Sequence, residues 1–165
     1  MLNDSAAEAF QSIVAALDYP MGIVTTTDGT ERAGCLVGFA AQCSIDPPLV
    51  MVWLSKQNHT TRVAREADAL LVHFPSRSER DLAVLFGEET GDEVDKFARC
   101  RWEPGPDGLP RLSDCTRWVA GRIVERLDTG DHVGHLLEPY AAANGEWAGQ
   151  LGFQAVKDVE PGHRA

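Results

Sequence analysis

The residues best equipped for chemistry lie between Ser55 and Thr60, reading SKQNHT. Ser55, Asn58 and Thr60 bring small polar side chains, Lys56 a cation and His59 an imidazole, directly before the helix-competent run TRVAREA. Such a set suits an anion, because helix N-terminal amides and a nearby ammonium both favour negative charge. The same residues also describe an ordinary strand-to-helix loop in which Asn58 or Thr60 only caps the helix. A second group is Gly130-Asp131-His132, which puts an imidazole at the mouth of a hairpin or, read more plainly, in a surface turn. His132 and His135 are three apart, and a strand points them to opposite faces, so no shared metal site is expected. Lys96, in Asp95-Lys96-Phe97, reads as a solvated helix charge. No G-x-G-x-x-G, G-x-x-x-x-G-K-[ST], nucleophile elbow or paired-carboxylate signature occurs, which argues against a Rossmann half or a P-loop.

Positioning these residues requires strands. Two apolar, β-branched runs, Cys35 to Cys43 and Leu49 to Leu54, flank Ser44-Ile45-Asp46-Pro47-Pro48, where the proline pair forbids helix and predicts a strand, a tight corner and a strand. Gly22 to Thr27 predicts a strand that Asp28-Gly29 turns into the first of these runs. Ser5 to Glu8 has capping-box spacing ahead of Phe10, Ile13, Val14 and Leu17, which predicts an amphipathic helix over residues 1–18. Thr60 to Ala67 predicts a short helix and Ala69 to Phe74 a buried strand. Ser76 to Glu79 is a capping box for a helix that Gly87 stops, and Thr90 to Glu93 repeats the pattern. Glu103 to Pro110 reads as loop. Cys115 to Leu127 and His132 to Leu137 form a hairpin, with Tyr140 to Gly149 as loop or frayed helix. Leu151 to Val156 is a last strand and 157–165 a mobile tail. The fold class is mainly β with interspersed helices, a barrel in one domain spanning 1–165.

Composition narrows the partners. With 165 residues the chain can bury a real core, and its net charge of -10 opposes nucleic acid or an anionic membrane surface. Met1 to Ser5 lacks the start of a signal peptide and no run is long enough to span a bilayer, so a cytoplasmic protein is expected. The four cysteines form no C-x-x-C pair and read as reduced, mostly buried thiols, with Cys43 in the core. Mixed faces on Cys115 to Leu127, with Trp118, predict apolar surface covered by a second copy in a homodimer.

The order "Ala-Gly, apolar strand, Ser-x-Asp-Pro-Pro, apolar strand, polar donors, helix" resembles the flavin reductase-like family, the FMN-binding split β-barrels. Val24 to Gly29, Asp95-Lys96-Phe97 and Gly130-Asp131-His132 extend the likeness from Tyr19 to Glu138. The resemblance implies FMN, or FAD, as cofactor and NAD(P)H as reductant, with reduced flavin supplied to an acceptor such as a partner flavin-dependent monooxygenase. It also implies that His132 faces the flavin and the nicotinamide. The cofactor-binding set it implies is Gly34, Leu36, Val37, Gly38, Gln42, Cys43 and Ser44 for the ring, and Ser55, Lys56, Asn58, His59 and Thr60 for the phosphate. Gly34 and Gly38 would let a flat ring approach the main chain. Relatives usually carry hydroxyls at the positions of Leu36 and Gly38, so this chain departs from the pattern there. A non-catalytic flavin-binding module, or a reductase using another electron donor, fits the same residues.

Overall fold

The computed structural model describes residues 4–161. In chain order it contains α1 (Asp4–Ala16), β1 (Gly22–Thr27), β2 (Arg32–Val37), β3 (Ala40–Ser44), β4 (Leu49–Ser55), α2 (His59–Ala64), β5 (Ala69–His73) and α3 (Arg80–Glu88). These are followed by β6 (Trp102–Pro104), β7 (Pro110–Leu112), β8 (Arg117–Asp128) and β9 (His132–Asn144), with short 3-10 turns between them. Seven strands form one antiparallel sheet in the order β2-β1-β5-β8-β9-β4-β3, and β6 and β7 form a small separate hairpin.

The run from Cys35 to Cys43 does not stay one strand. It breaks at Gly38-Phe39, and the two halves lie on opposite edges of the sheet. Two residues span little distance, so edges joined by so short a link must curl toward each other. That closure gives the split barrel, and beyond the break Phe39 continues the β3–β4 pairing, its carbonyl accepting the N–H of Trp53 at 2.8 Å. At the centre of the sheet, all five residues of β5 are buried, as its continuous apolar run implies. Val24, Val52, Leu54, Leu70 and Leu137 form the barrel interior.

Several local expectations give way to longer-range forces. Ser5 lies inside α1, not at its cap, and α1 buries none of its residues, so Phe10 and Ile13 stay exposed. Gly87 does not stop α3; a Cβ there would meet Leu36 Cδ2 at 2.8 Å, so the glycine lets α3 close onto β2. Thr90 to Glu93 is a turn, and the 3-10 helix after it, Lys96–Arg99, is capped by Asp95 through Phe97 N–H at 3.0 Å. The expected loop Glu103 to Pro110 holds the β6–β7 hairpin. β9 continues through Pro139 because the register shifts there, and a bulge tolerates a residue without an N–H. Leu151 to Val156 is no strand but bridges and a 3-10 turn. Residues 157–161 of the expected tail are structured against the barrel, and 162–165 lie outside the described residues. Among the described residues no helix is long and apolar enough to cross a membrane.

Candidate active site

The antiparallel register of β4 and β9 sets Ser55 directly opposite His132, and the N–H of Lys56 extends the pairing to the carbonyl of Asp131 at 2.9 Å. The turn Asp128 to Asp131 needs Gly130 in the left-handed region, φ 118°, which a side chain would strain. His132 is thereby held at the end of a strand, its side chain 18% exposed and its ring 5.0 Å from that of Phe39. Its Nδ1 lies 2.6 Å from Asp131 Oδ1. The hydrogen bond to His132, and then the histidine's charge, lower the Asp131 carboxyl below the usual carboxylate range. With Nδ1 engaged, Nε2 is the ring nitrogen left for a ligand.

His132 borders a cavity of about 380 Å³. Cys35, Leu36, Val37, Gly38 and Phe39 make one side of it, Trp53, Ser55 and Asn58 another. Tyr19, Phe86 and Phe153 add aromatic surface, and at Gly87 the Leu36 side chain packs directly against the α3 backbone. β2 is an edge strand, so one row of its main-chain groups lies outside the sheet ladder. One of these groups, the Gly34 carbonyl, is taken by Lys96 Nζ at 2.9 Å. Flat apolar walls beside an edge strand, with a few polar groups at one end, suit a planar aromatic ligand.

The structure therefore brings together Leu36, Val37, Gly38, Ser55, Asn58 and His132 from the residues read out of the sequence. The remainder of the expected set lies elsewhere. Lys56 does not line the cavity; its ammonium grips both oxygens of Asp128 at 2.8 Å, tying the loop after β4 to the β8–β9 turn. His59 sits between Glu31 and Asp92, at 3.4 and 3.2 Å, beside a separate polar hollow that also contains Gly34. Thr60 is buried under the α2 cap, its N–H bonded to Asn58 Oδ1 at 3.0 Å, so Asn58 is the capping residue. Gln42 borders an apolar hollow on another face and donates to the Ser44 carbonyl. Cys43 is the residue skipped where the β3–β4 register shifts, which leaves it exposed and not in the core.

The two glycines expected to admit a ring are filled by the protein's own side chains. A Cβ at Gly34 would meet the Phe86 ring at 2.7 Å, and one at Gly38 the Tyr19 ring at 2.7 Å. Lys96 is not solvated: it is 4% exposed, with its ammonium bonded to the carbonyls of Gly34 and Phe86 at 2.9 and 3.0 Å. Burial lowers its pKa from the ordinary lysine value. Its function is to fasten α3 to β2 behind the cavity. Sequence reading also missed Tyr19, Phe39, Trp53, Phe86 and Phe153 as cavity-lining residues, since aromatic side chains read as core. Among the described residues no group of three or more metal-ligating side chains is suitably clustered.

Fold and cavity together define a split barrel built to hold a flat ligand between its seam and the β8–β9 hairpin. The family model described as "Flavin reductase like domain" matches residues 14–148. A "Probable flavin reductase" of Rhizobium meliloti is 30% identical over 114 residues, covering 67% of this chain and 36% of its own length. The "FMN reductase (NADH) RutF" of Enterobacter cloacae is 29% identical over 125 residues, 76% of each chain. The solved NADH:FAD oxidoreductase SgcE6 of Streptomyces globisporus superposes with a TM-score of 0.78 at 20% identity, covering 92% of this chain and 89% of that one, which supports the fold. The chain belongs to the flavin reductase-like family.

Proposed function

We propose that this chain is a flavin reductase, passing a hydride from NAD(P)H to FMN or FAD. The observation that carries the reading is the cavity itself, where the end of β2, an aromatic lining and the Asp131–His132 pair converge. The donor set fits the group. A planar ring finds apolar faces in Leu36, Phe39 and Trp53, and polar atoms in Ser55, Asn58 and the outer edge of β2. The volume falls within the range of roughly 300 to 1,000 Å³ typical of small-molecule sites.

When bound, the flavin supplies the hydride-accepting chemistry, and the protein's contribution is placement. The walls around Leu36 and Trp53 hold one ring and exclude water from it. His132, fixed by Asp131 on one nitrogen, offers the other to a polar group of the nicotinamide donor and so sets its angle of approach. Orientation of two rings accounts for the rate without an essential acid or base. The polar cluster expected for a phosphate is reduced here to Ser55 and Asn58, because Lys56 is occupied by Asp128.

Reduced flavin then passes to an acceptor, and a flavin-dependent monooxygenase is the partner that fits such a product. We also propose a homodimer. Two apolar hollows, of about 410 and 390 Å³, share Pro20, Met21, Phe74 and Val119 on the sheet, and a second copy would cover them. The test of function is NADH and NADPH oxidation with and without added FMN. FMN-dependent oxidation supports the reductase; a protein that binds FMN without oxidising either donor is a flavin-binding module instead.

A further inference from the structure

The family match ends at residue 148, yet the cavity is closed by residues beyond it. Phe153, Val156, Lys157, Val159 and Pro161 form one wall. This segment is strapped down by specific bonds. The Phe153 ring stacks on Tyr19 with centroids 4.6 Å apart, and its N–H donates to the Tyr19 carbonyl at 2.9 Å. The Gln154 amide donates to the carbonyls of Ala15 and Leu17 at 3.0 and 2.9 Å. Arg80 donates to the Ala155 carbonyl at 2.9 Å and pairs with Asp158 at 3.3 Å. Leu151 and Val156 are buried beneath.

Apart from the imidazole of His132, the residues lining the cavity include two ionisable groups of opposite sign, Glu89 and Lys157. Glu89 is matched by Arg99 at 3.3 Å. Lys157 makes no ion pair or hydrogen bond among the described residues, whereas Lys56, the cation expected to meet an anion, is closed onto Asp128. Lys157 is exposed at the cavity's edge, and in a chain with a net charge of -10 a lysine there without an ion-pair partner gives an anionic ligand a favourable contact.

We propose that Lys157, presented by the segment outside the family-wide match, binds a phosphate of the ligand that fills the cavity. The proposal rests on the flavin reductase reading. The phosphate belongs either to FMN or to the nicotinamide dinucleotide, and the two sources separate experimentally. FMN and riboflavin are titrated into the wild-type protein and into K157A, K157E and K157R, and KM for NADH is measured on the same samples.

If the source is FMN, K157A loses about tenfold in FMN affinity and K157E more, K157R restores it, and riboflavin affinity is unchanged. If the source is the dinucleotide, both flavin titrations are unchanged and KM for NADH rises about tenfold at constant kcat. The proposal is overturned if K157E keeps both the FMN-to-riboflavin affinity ratio and KM within about twofold of wild type, or if both flavins weaken alike. Wild-type protein that binds neither flavin removes the flavin reading and this proposal with it. Wild-type protein that binds FMN beside an indifferent K157E removes this proposal alone.

Discussion

His132 is the residue on which binding and rate should separate. It lines the cavity beside Phe39 and keeps one nitrogen for a ligand while Asp131 holds the other, whereas Leu36 and Trp53 supply other parts of the wall. His132→Ala is expected to keep FMN affinity within a few-fold and to slow flavin reduction by roughly ten- to a hundredfold, at about 1.4 kcal/mol per decade. Transient kinetics beside a flavin titration checks this. A variant that reduces flavin at the parental rate, or releases flavin, would make the histidine a bystander or a structural cap. Asp131→Asn should give a smaller loss of the same kind, because it leaves the imidazole in place but less firmly oriented.

At the scale of elements, a buried histidine joins three strands. His73 on β5 lies with Nδ1 3.0 Å from the Ile23 carbonyl of β1, and its Nε2 accepts the Leu112 N–H of β7 at 3.0 Å. Both bonds need the neutral imidazole with its proton on Nδ1. Burial, the dominant cause, lowers its pKa from 6.5 to about 4. An unfolded chain takes up this proton near 6.5 and the folded one only near 4, so between those values stability falls as pH falls. The contribution is fully retained above about pH 6.5, and the loss reaches on the order of 3 kcal/mol at the acid end. His135, also lowered by burial, acts in the same direction. Urea unfolding across this window checks the slope, and His73→Gln should flatten it.

The same elements show what a sequence can and cannot display. β1, β4, β5 and the β8–β9 hairpin were legible because their β-branched runs and turn residues act locally. The division of β2 from β3 was not, because it follows from closing a sheet whose edges meet far along the chain. Lys96 looked solvated since a charge on a short helix usually is. Only the approach of α3 to β2 supplies the two carbonyls that receive it. Of the expected site, the end of β2, Ser55, Asn58 and His132 converged, while the end of β3 and the cation Lys56 did not, because strand register and the Asp128 pair direct them elsewhere. A cavity wall without periodicity, such as 153–161, leaves no pattern to read.

For the whole molecule, the apolar hollows around Phe74 and Val119 predict association. Val119 is half-buried, borders both hollows and faces Ala142 across the β8–β9 ladder. Val119→Arg should convert a dimer to a monomer in sedimentation at micromolar concentration while leaving the circular dichroism of the barrel unchanged. A wild-type protein that sediments as a monomer with flavin bound would contradict the expectation.

The cavity between the barrel seam and His132 is proposed to hold flavin in position for hydride transfer. The most direct test is single-turnover reduction of FMN-loaded protein by NADH and by NADPH, followed without oxygen as bleaching of the yellow flavin. Bleaching by at least one donor is expected, at a rate that saturates with donor concentration and far exceeds that of free FMN. Protein that takes up no FMN, or whose bound FMN bleaches no faster than FMN in buffer with both donors, would contradict it.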